Sequence, residues 1–170
     1  MSMKIMSFSG IISTFRYSLI SMEGFQKPNP EDKDYIRFSC SENILLHGVT
    51  VYGSLDDNGE YDTRVELCSD DAKSVLDSNF TRLNTNRRQH MYEVMFSKPV
   101  SLKSGKQFSV SVHMRGPPTK LGYGGKMDCT SDGVSFHFMN KSGCRTTVEK
   151  GQIPGLLYTL APEKKGKWIV

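Results

Sequence analysis

Two histidines of this 170-residue chain lie in alternating apolar runs: His113 beside Val112 and Met114, and His137 between Phe136 and Phe138. Imidazoles on two paired strands can share a metal, but a zinc site needs further ligands, and none stands at a suitable spacing. Both histidines therefore read as polar-face residues. The four cysteines, Cys40, Cys68, Cys129 and Cys144, contain no Cys-x-x-Cys pair, so zinc-ligand spacing is absent. Three of them fall in or beside apolar alternation, where a free cysteine behaves as a small hydrophobe. Buried or half-buried thiols are expected rather than two disulfides. Asp56–Asp57 and Asp70–Asp71 fall in turns, where aspartate is favoured for backbone hydrogen bonding rather than acid–base work. The sequence has no Gly-x-Ser-x-Gly elbow, phosphate loop, His-Glu-x-x-His or dinucleotide glycine pattern, so neither an enzyme nor a cofactor or metal is expected.

Two glycine- and proline-rich segments carry the binding chemistry. One is Arg115-Gly-Pro-Pro-Thr-Lys-Leu-Gly-Tyr-Gly-Gly125, in which Tyr123 stands among small residues that could display its ring. The other is Gly151-Gln-Ile-Pro-Gly155, directly before an apolar run. Glycine allows positive φ and proline stiffens the path, so both can be plain connections. They can equally be shaped loops on a rigid scaffold, the usual place for binding residues.

The elements that would hold these loops are strands. Phe108, Val110, Val112 and Met114 point one way, and Ser109, Ser111, His113 and Arg115 the other, the period of a strand with one buried face. The pattern repeats over Thr63–Leu67, Tyr92–Phe96 and Val134–Phe138. Ile44–Tyr52 is apolar on both faces, as a covered central strand would be. Ile36 with Phe38 and Leu156–Leu160 suggest more strands, and Phe15–Leu19 a weaker one. Asp56-Asp-Asn-Gly59 marks a hairpin, residues 23–34 read as a loop, and Asp70–Leu76 as a short helix. The expectation is an all-β, antiparallel β-sandwich of about ten short strands. Residues 13–160 form the domain, with a loose segment at 1–12 and a basic tail at 161–170.

Residues 1–85 hold 8 Lys/Arg against 13 Asp/Glu, a net −5; residues 86–170 hold 14 against 5, a net +9. Such a split can mark a docking surface for an acidic partner, or simply two differently solvated ends of one fold. The basic residues are dispersed and lack interleaved aromatics, so nucleic acid is not an expected partner. No run of 18 apolar residues exists, so no membrane span is expected, nor does the start resemble a secretory signal. A cytoplasmic location follows as an expectation. Two glycosylation-type triplets, at Asn79 and Asn140, are of a kind common by chance.

The segments RFSCSENILLHGVTVYGS (37–54), VMFSKPVSL (94–102), MRGPPTKLGYGG (114–125), DGVSFHF (132–138) and TTVEKGQIPGLLY (146–158) together resemble a PHR domain. That family occurs in giant neuronal ubiquitin ligases and at the end of BTB–BACK substrate adaptors. The resemblance implies a β-sandwich without enzymatic activity, a monomeric module that binds a protein partner or a ubiquitination substrate. Matching positions on its binding surface would be Arg115, Gly116, Pro117, Tyr123, Gly124, Gly151, Gln152, Ile153 and Pro154. Two departures stand out. Cys144-Arg145-Thr146 replaces an Asn-Gly-Thr common in relatives, so either the local turn differs or Arg145 is strained. Met22-Glu-Gly-Phe25 stands where relatives often show a Trp-Gly-Tyr-like element. The alternative is a sandwich that binds carbohydrate or another small ligand.

Overall fold

A computed structural model describes residues 10–25, 31–69 and 74–162, in which all regular structure is strand. In chain order the strands are β1 (Ile12–Phe15), β2 (Tyr17–Phe25), β3 (Asp34–Cys40), β4 (Ile44–Tyr52), β5 (Gly59–Ser69), β6 (Val75–Thr85), β7 (Met91–Leu102), β8 (Gln107–Arg115), β9 (Thr119–Gly125), β10 (Asp128–Ser131), β11 (Val134–Met139), β12 (Lys150–Gly151) and β13 (Gly155–Leu160). They form a six-stranded sheet in the order β10-β11-β3-β8-β5-β6, a four-stranded sheet β1-β13-β4-β7, and a small sheet β12-β9-β2. Every pairing is antiparallel, as expected for a chain without crossover helices.

The alternation seen in the sequence sorts the side chains. In β5 Tyr61, Thr63, Val65 and Leu67 are buried while Glu60, Asp62 and Arg64 face water. The inner faces of the two large sheets meet in one core that includes Ile36, Phe38, Val65, Val110 and Phe136 from one side and Leu46, Val51, Val94 and Leu156 from the other. Phe136 of β11 meets Tyr158 of β13 edge to face at 5.0 Å. The Tyr158 hydroxyl then donates to Ser131 O at 2.6 Å, so a buried phenol keeps its polar end satisfied. One side of the sandwich is laced by side chains: Asn79 Nδ2 donates to Met95 O (2.9 Å) and Ser97 Oγ to Asp77 Oδ1 (2.5 Å), joining β6 to β7.

Several expectations are corrected. Val75 and Leu76 open strand β6 instead of closing a helix; the rest of that expected helix, through Lys73, lies outside the described residues. Its inward-facing residues are mainly polar, Asp77, Asn79 and Thr81, so the strand leaves no apolar alternation to read. The segment read as a loop at 115–125 is mostly strand β9, its pattern hidden by three glycines. Residues 23–25 complete β2, and β3 begins at Asp34. β1 starts at Ile12, inside the segment expected to be loose, while residues 1–9 and 163–170 lie outside the described residues. His113 and His137 are on β8 and β11 with β3 between them, and His137 Nδ1 contacts Asp128 Oδ1 at 2.7 Å.

All four cysteines are free; Cys40 and Cys129 are buried and Cys68 and Cys144 half-buried. Burial, assisted by Glu42, pushes the Cys40 thiol up to about 11, and burial also raises Cys129. Because the thiolate is the reacting species, native protein at pH 8 will react slowly with a disulfide reagent, Cys68 and Cys144 ahead of Cys40 and Cys129. Four thiols will titrate in guanidinium; two would contradict the structure.

Candidate functional site

Arg16 separates β1 from β2 and is 1 % exposed. Its guanidinium donates to four backbone carbonyls: Nε to Ile153 O (2.7 Å), Nη1 to Thr147 O (2.9 Å) and Val148 O (3.3 Å), and Nη2 to Gln152 O (2.8 Å). It stacks 4.1 Å from the Tyr17 ring centroid. Burial pulls its pKa below the usual arginine value, against the opposing effect of Tyr17. Among the described residues it pairs with no carboxylate. Four carbonyl dipoles and a ring face balance the charge instead.

The clamp fixes residues 147–153. Gly151 takes φ 134°, and a Cβ there would lie 2.5 Å from Thr146 Oγ1. Ile153 takes φ 61°, a left-handed conformation that costs a β-branched residue about 1–3 kcal/mol. Gln152 points inward. Its Oε1 accepts from the Tyr52 N–H (2.6 Å) and the Ile153 N–H (3.1 Å), and its Nε2 donates to Tyr52 O (3.2 Å) and Thr119 Oγ1 (3.1 Å). One amide thus ties β13's approach to the end of β4 and the start of β9.

The expected ridge over Gly151, Gln152, Ile153 and Pro154 is therefore corrected, because all four are buried. Glutamine there serves backbone groups that no other strand pairs, and Ile153 belongs to the core. Gly151-Gln-Ile-Pro is a structural buckle packed against the turn at residues 115–119.

What stands above the buckle is a cavity of about 240 Å³ walled by Phe25, Asp34, Arg115–Thr119 and Arg145, with Gln152 in its floor. Arg115, Gly116 and Pro118 are exposed and Pro117 half-buried. Gly116 is forced by space, since a Cβ would sit 2.5 Å from both Glu60 O and the Tyr61 ring. Arg115 Nη2 meets Glu31 Oε1 at 2.8 Å on the surface, a pair of small energetic weight. Deeper in, Asp34 Oδ2 accepts from Arg145 Nη2 (2.7 Å) and Oδ1 from Thr146 Oγ1 (2.7 Å), while Thr146 Oγ1 accepts the Gln152 N–H (3.0 Å). Side-chain exposure is 14 % for Arg145 and 1 % for Asp34. The Arg145 guanidinium lies over Phe25 at 3.9 Å, and its buried Nε has no hydrogen-bond partner among the described residues. Arg145 is not strained. Left-handed φ falls at Gly143 (78°) instead, so the turn differs from the one a glycine at 145 would make.

Of the sequence-derived site residues, Arg115, Gly116 and Pro117 converge on this cavity, with buried Gln152 beneath them. Tyr123 and Gly124 do not: Tyr123 is four residues along β9 from Thr119, about 13 Å at strand rise. There Tyr123, 41 % exposed, stands between Leu19 of β2 and Lys150 of β12. Gly124 takes φ 67° and accepts a hydrogen bond from Ser18 Oγ at 3.0 Å. Sequence reasoning missed Arg16, Phe25, Asp34 and Thr146 as parts of the site. A lone arginine in the apolar Ile11–Ile20 run was a signal for Arg16, and the departure at 145 was one for Arg145; Asp34 left none.

A protein-family model, the PHR domain, matches residues 16–159. Similar curated proteins include the E3 ubiquitin-protein ligase MYCBP2 of Danio rerio, 31% identical over 137 residues, and BTB/POZ domain-containing protein 6 of Xenopus tropicalis, 30% identical over 130 residues. The E3 ubiquitin-protein ligase highwire of Drosophila melanogaster is 28% identical over 139 residues. The aligned regions cover 74–75% of this chain but only 3% of the two ligases and 24% of the BTB/POZ protein.

Proposed function

The chain belongs to the PHR domain family, and on that premise we propose that it is a non-catalytic protein-binding module of a ubiquitin-ligase component, acting as a monomer in the cytoplasm. The observation that carries this reading is the Arg115–Pro118 rim over the Arg145–Asp34 pair. A stiff turn, apolar walls of Phe25 and proline, and a buried cation with one unpartnered N–H together form a pocket for a side chain of another polypeptide. Anchors in such desolvated pockets dominate protein–protein affinity. Four unbridged thiols support a reducing compartment.

The test is association of the purified chain with partners identified by cross-linking in cells, comparing wild type with Arg115→Ala, Pro118→Ala and Tyr123→Ala. These residues are exposed, so the variants will fold. The two rim variants will weaken association about 5- to 100-fold, equivalent to roughly 1–3 kcal/mol at an anchor, and Tyr123→Ala will report whether β9's far end belongs to the same footprint. Full retention by both folded rim variants refutes the rim. Turnover of an ester, phosphate or glycoside substrate by the chain alone refutes the non-catalytic reading.

A further inference from the structure

A second cavity, of about 560 Å³, touches the buckle at Pro154 and shares no lining residue with the first. Its walls include Arg16, Tyr17, Tyr52, Met91, Lys126 and Pro154. Two cations are brought together by the backbone: the Lys126 N–H donates to Arg16 O at 2.8 Å. Neither side chain enters an ion pair among the described residues. The carboxylate on the wall, Asp128, is already engaged by His137 Nδ1 at 2.7 Å. The Tyr52 side chain is 2 % exposed, and its hydroxyl has no hydrogen-bond partner among the described residues. Phe15, Ile20, Met91 and Pro154 supply apolar wall around these groups.

We infer that this cavity is a recognition site for the carboxylate of an aspartate or glutamate, presented beside an apolar residue in a partner polypeptide. Lys126 at the mouth meets the negative charge, the Tyr52 hydroxyl donates to a carboxylate oxygen, and the field of Arg16 favours the anion. The apolar wall holds the neighbouring residue. A polypeptide fits better than a small anion, because the space exceeds one carboxylate several-fold, as judged by a water's share of about 30 Å³, and most of the extra wall is apolar. The positive balance of residues 86–170, which include Lys126, points the same way.

Selection of the purified chain against a fully randomised phage-displayed heptapeptide library tests this. Recovered peptides will carry Asp or Glu at one fixed position with an apolar neighbour, and their amide shift changes will map to residues 14–20 and 126–130. Lys126→Gln will weaken them about tenfold and flatten the salt dependence; Tyr52→Phe, which keeps the ring, will weaken them about threefold. Arg115→Ala, at the other cavity, will leave them unchanged, so this site can fail without the rim failing. Recovery of no peptide, loss of the acidic position, mapping elsewhere, or full binding by both cavity variants overturns the inference. Competition by sodium acetate as strong as by the peptide itself overturns the assignment to a polypeptide.

Discussion

Arg16→Met will cost the folded state about 3–6 kcal/mol, or abolish folding altogether, with the urea midpoint falling in proportion. Methionine fills much of the same volume but donates nothing. The carbonyls of Thr147, Val148, Gln152 and Ile153 then lose their shared donor inside the protein. A buried acceptor left without a partner costs about 1–3 kcal/mol. The Tyr17 hydroxyl also reaches Thr147 O (2.8 Å) and Gln152 O (3.3 Å), and its single proton keeps one of the four partnered, so the sum stays below the full fourfold penalty. Against a typical total stability of about 5–15 kcal/mol that is still a large fraction. Arg16→Lys will recover less than half of the loss, since an ammonium keeps the charge but not the planar fork that spans residues 147–153. A cost under about 1 kcal/mol for Arg16→Met, by urea unfolding at pH 7, would mean that the buckle holds without its clamp.

The strands with apolar alternation were legible because one face of each must enter the core: β5 and β11 alternate in burial as they do in sequence, while β8 alternates only in residue type, since Ser109 and Ser111 on its other face are buried as well. Three kinds of element escaped. β6 buries polar residues against β7, as with Asn79 on Met95 O, so hydropathy carries no trace of it. β9 is glycine-rich because neighbours crowd it: a Cβ on Gly122 would lie 2.3 Å from Tyr17, and one on Gly125 1.6 Å from Val148 O. Glycine in a strand thus reported close packing where composition suggested a loop. The expected display of Gly151–Pro154 fails for a related reason, since all four residues are buried. Gly-Gln-Ile-Pro is distinctive in sequence, and distinctiveness alone does not separate a residue that meets a partner from one that satisfies its own backbone. Only the path of Gln152 into the end of β4 decides that. Asp34 was illegible because its importance depends on Arg145 and Thr146, more than a hundred residues away in the chain.

That distinction has a sharp consequence at Gln152 itself. Gln152→Ala removes two donated and two accepted hydrogen bonds and leaves a void, and will cost about 3–5 kcal/mol. Any loss of partner binding by this variant will track its loss of folded protein and vanish once the folded fraction is accounted for, unlike the rim variants. Gln152→Glu separates the contributions further. The isosteric carboxylate still accepts from Tyr52 N–H and Ile153 N–H but faces Tyr52 O and Thr119 Oγ1 where an N–H₂ stood. A carboxyl buried there has its pKa raised above the unfolded value of about 4.3. The native state then holds a proton that the unfolded chain releases, so the variant loses stability as pH rises through that interval and regains it as pH falls. Protonated, the new O–H can donate to Tyr52 O much as Nε2 did. Urea unfolding of Gln152→Glu and wild type at pH 5 and pH 7.5 will show a deficit that is smaller at pH 5. An equal deficit at both values would place residue 152 in water and contradict the burial of Gly151-Gln-Ile-Pro beneath the proposed rim.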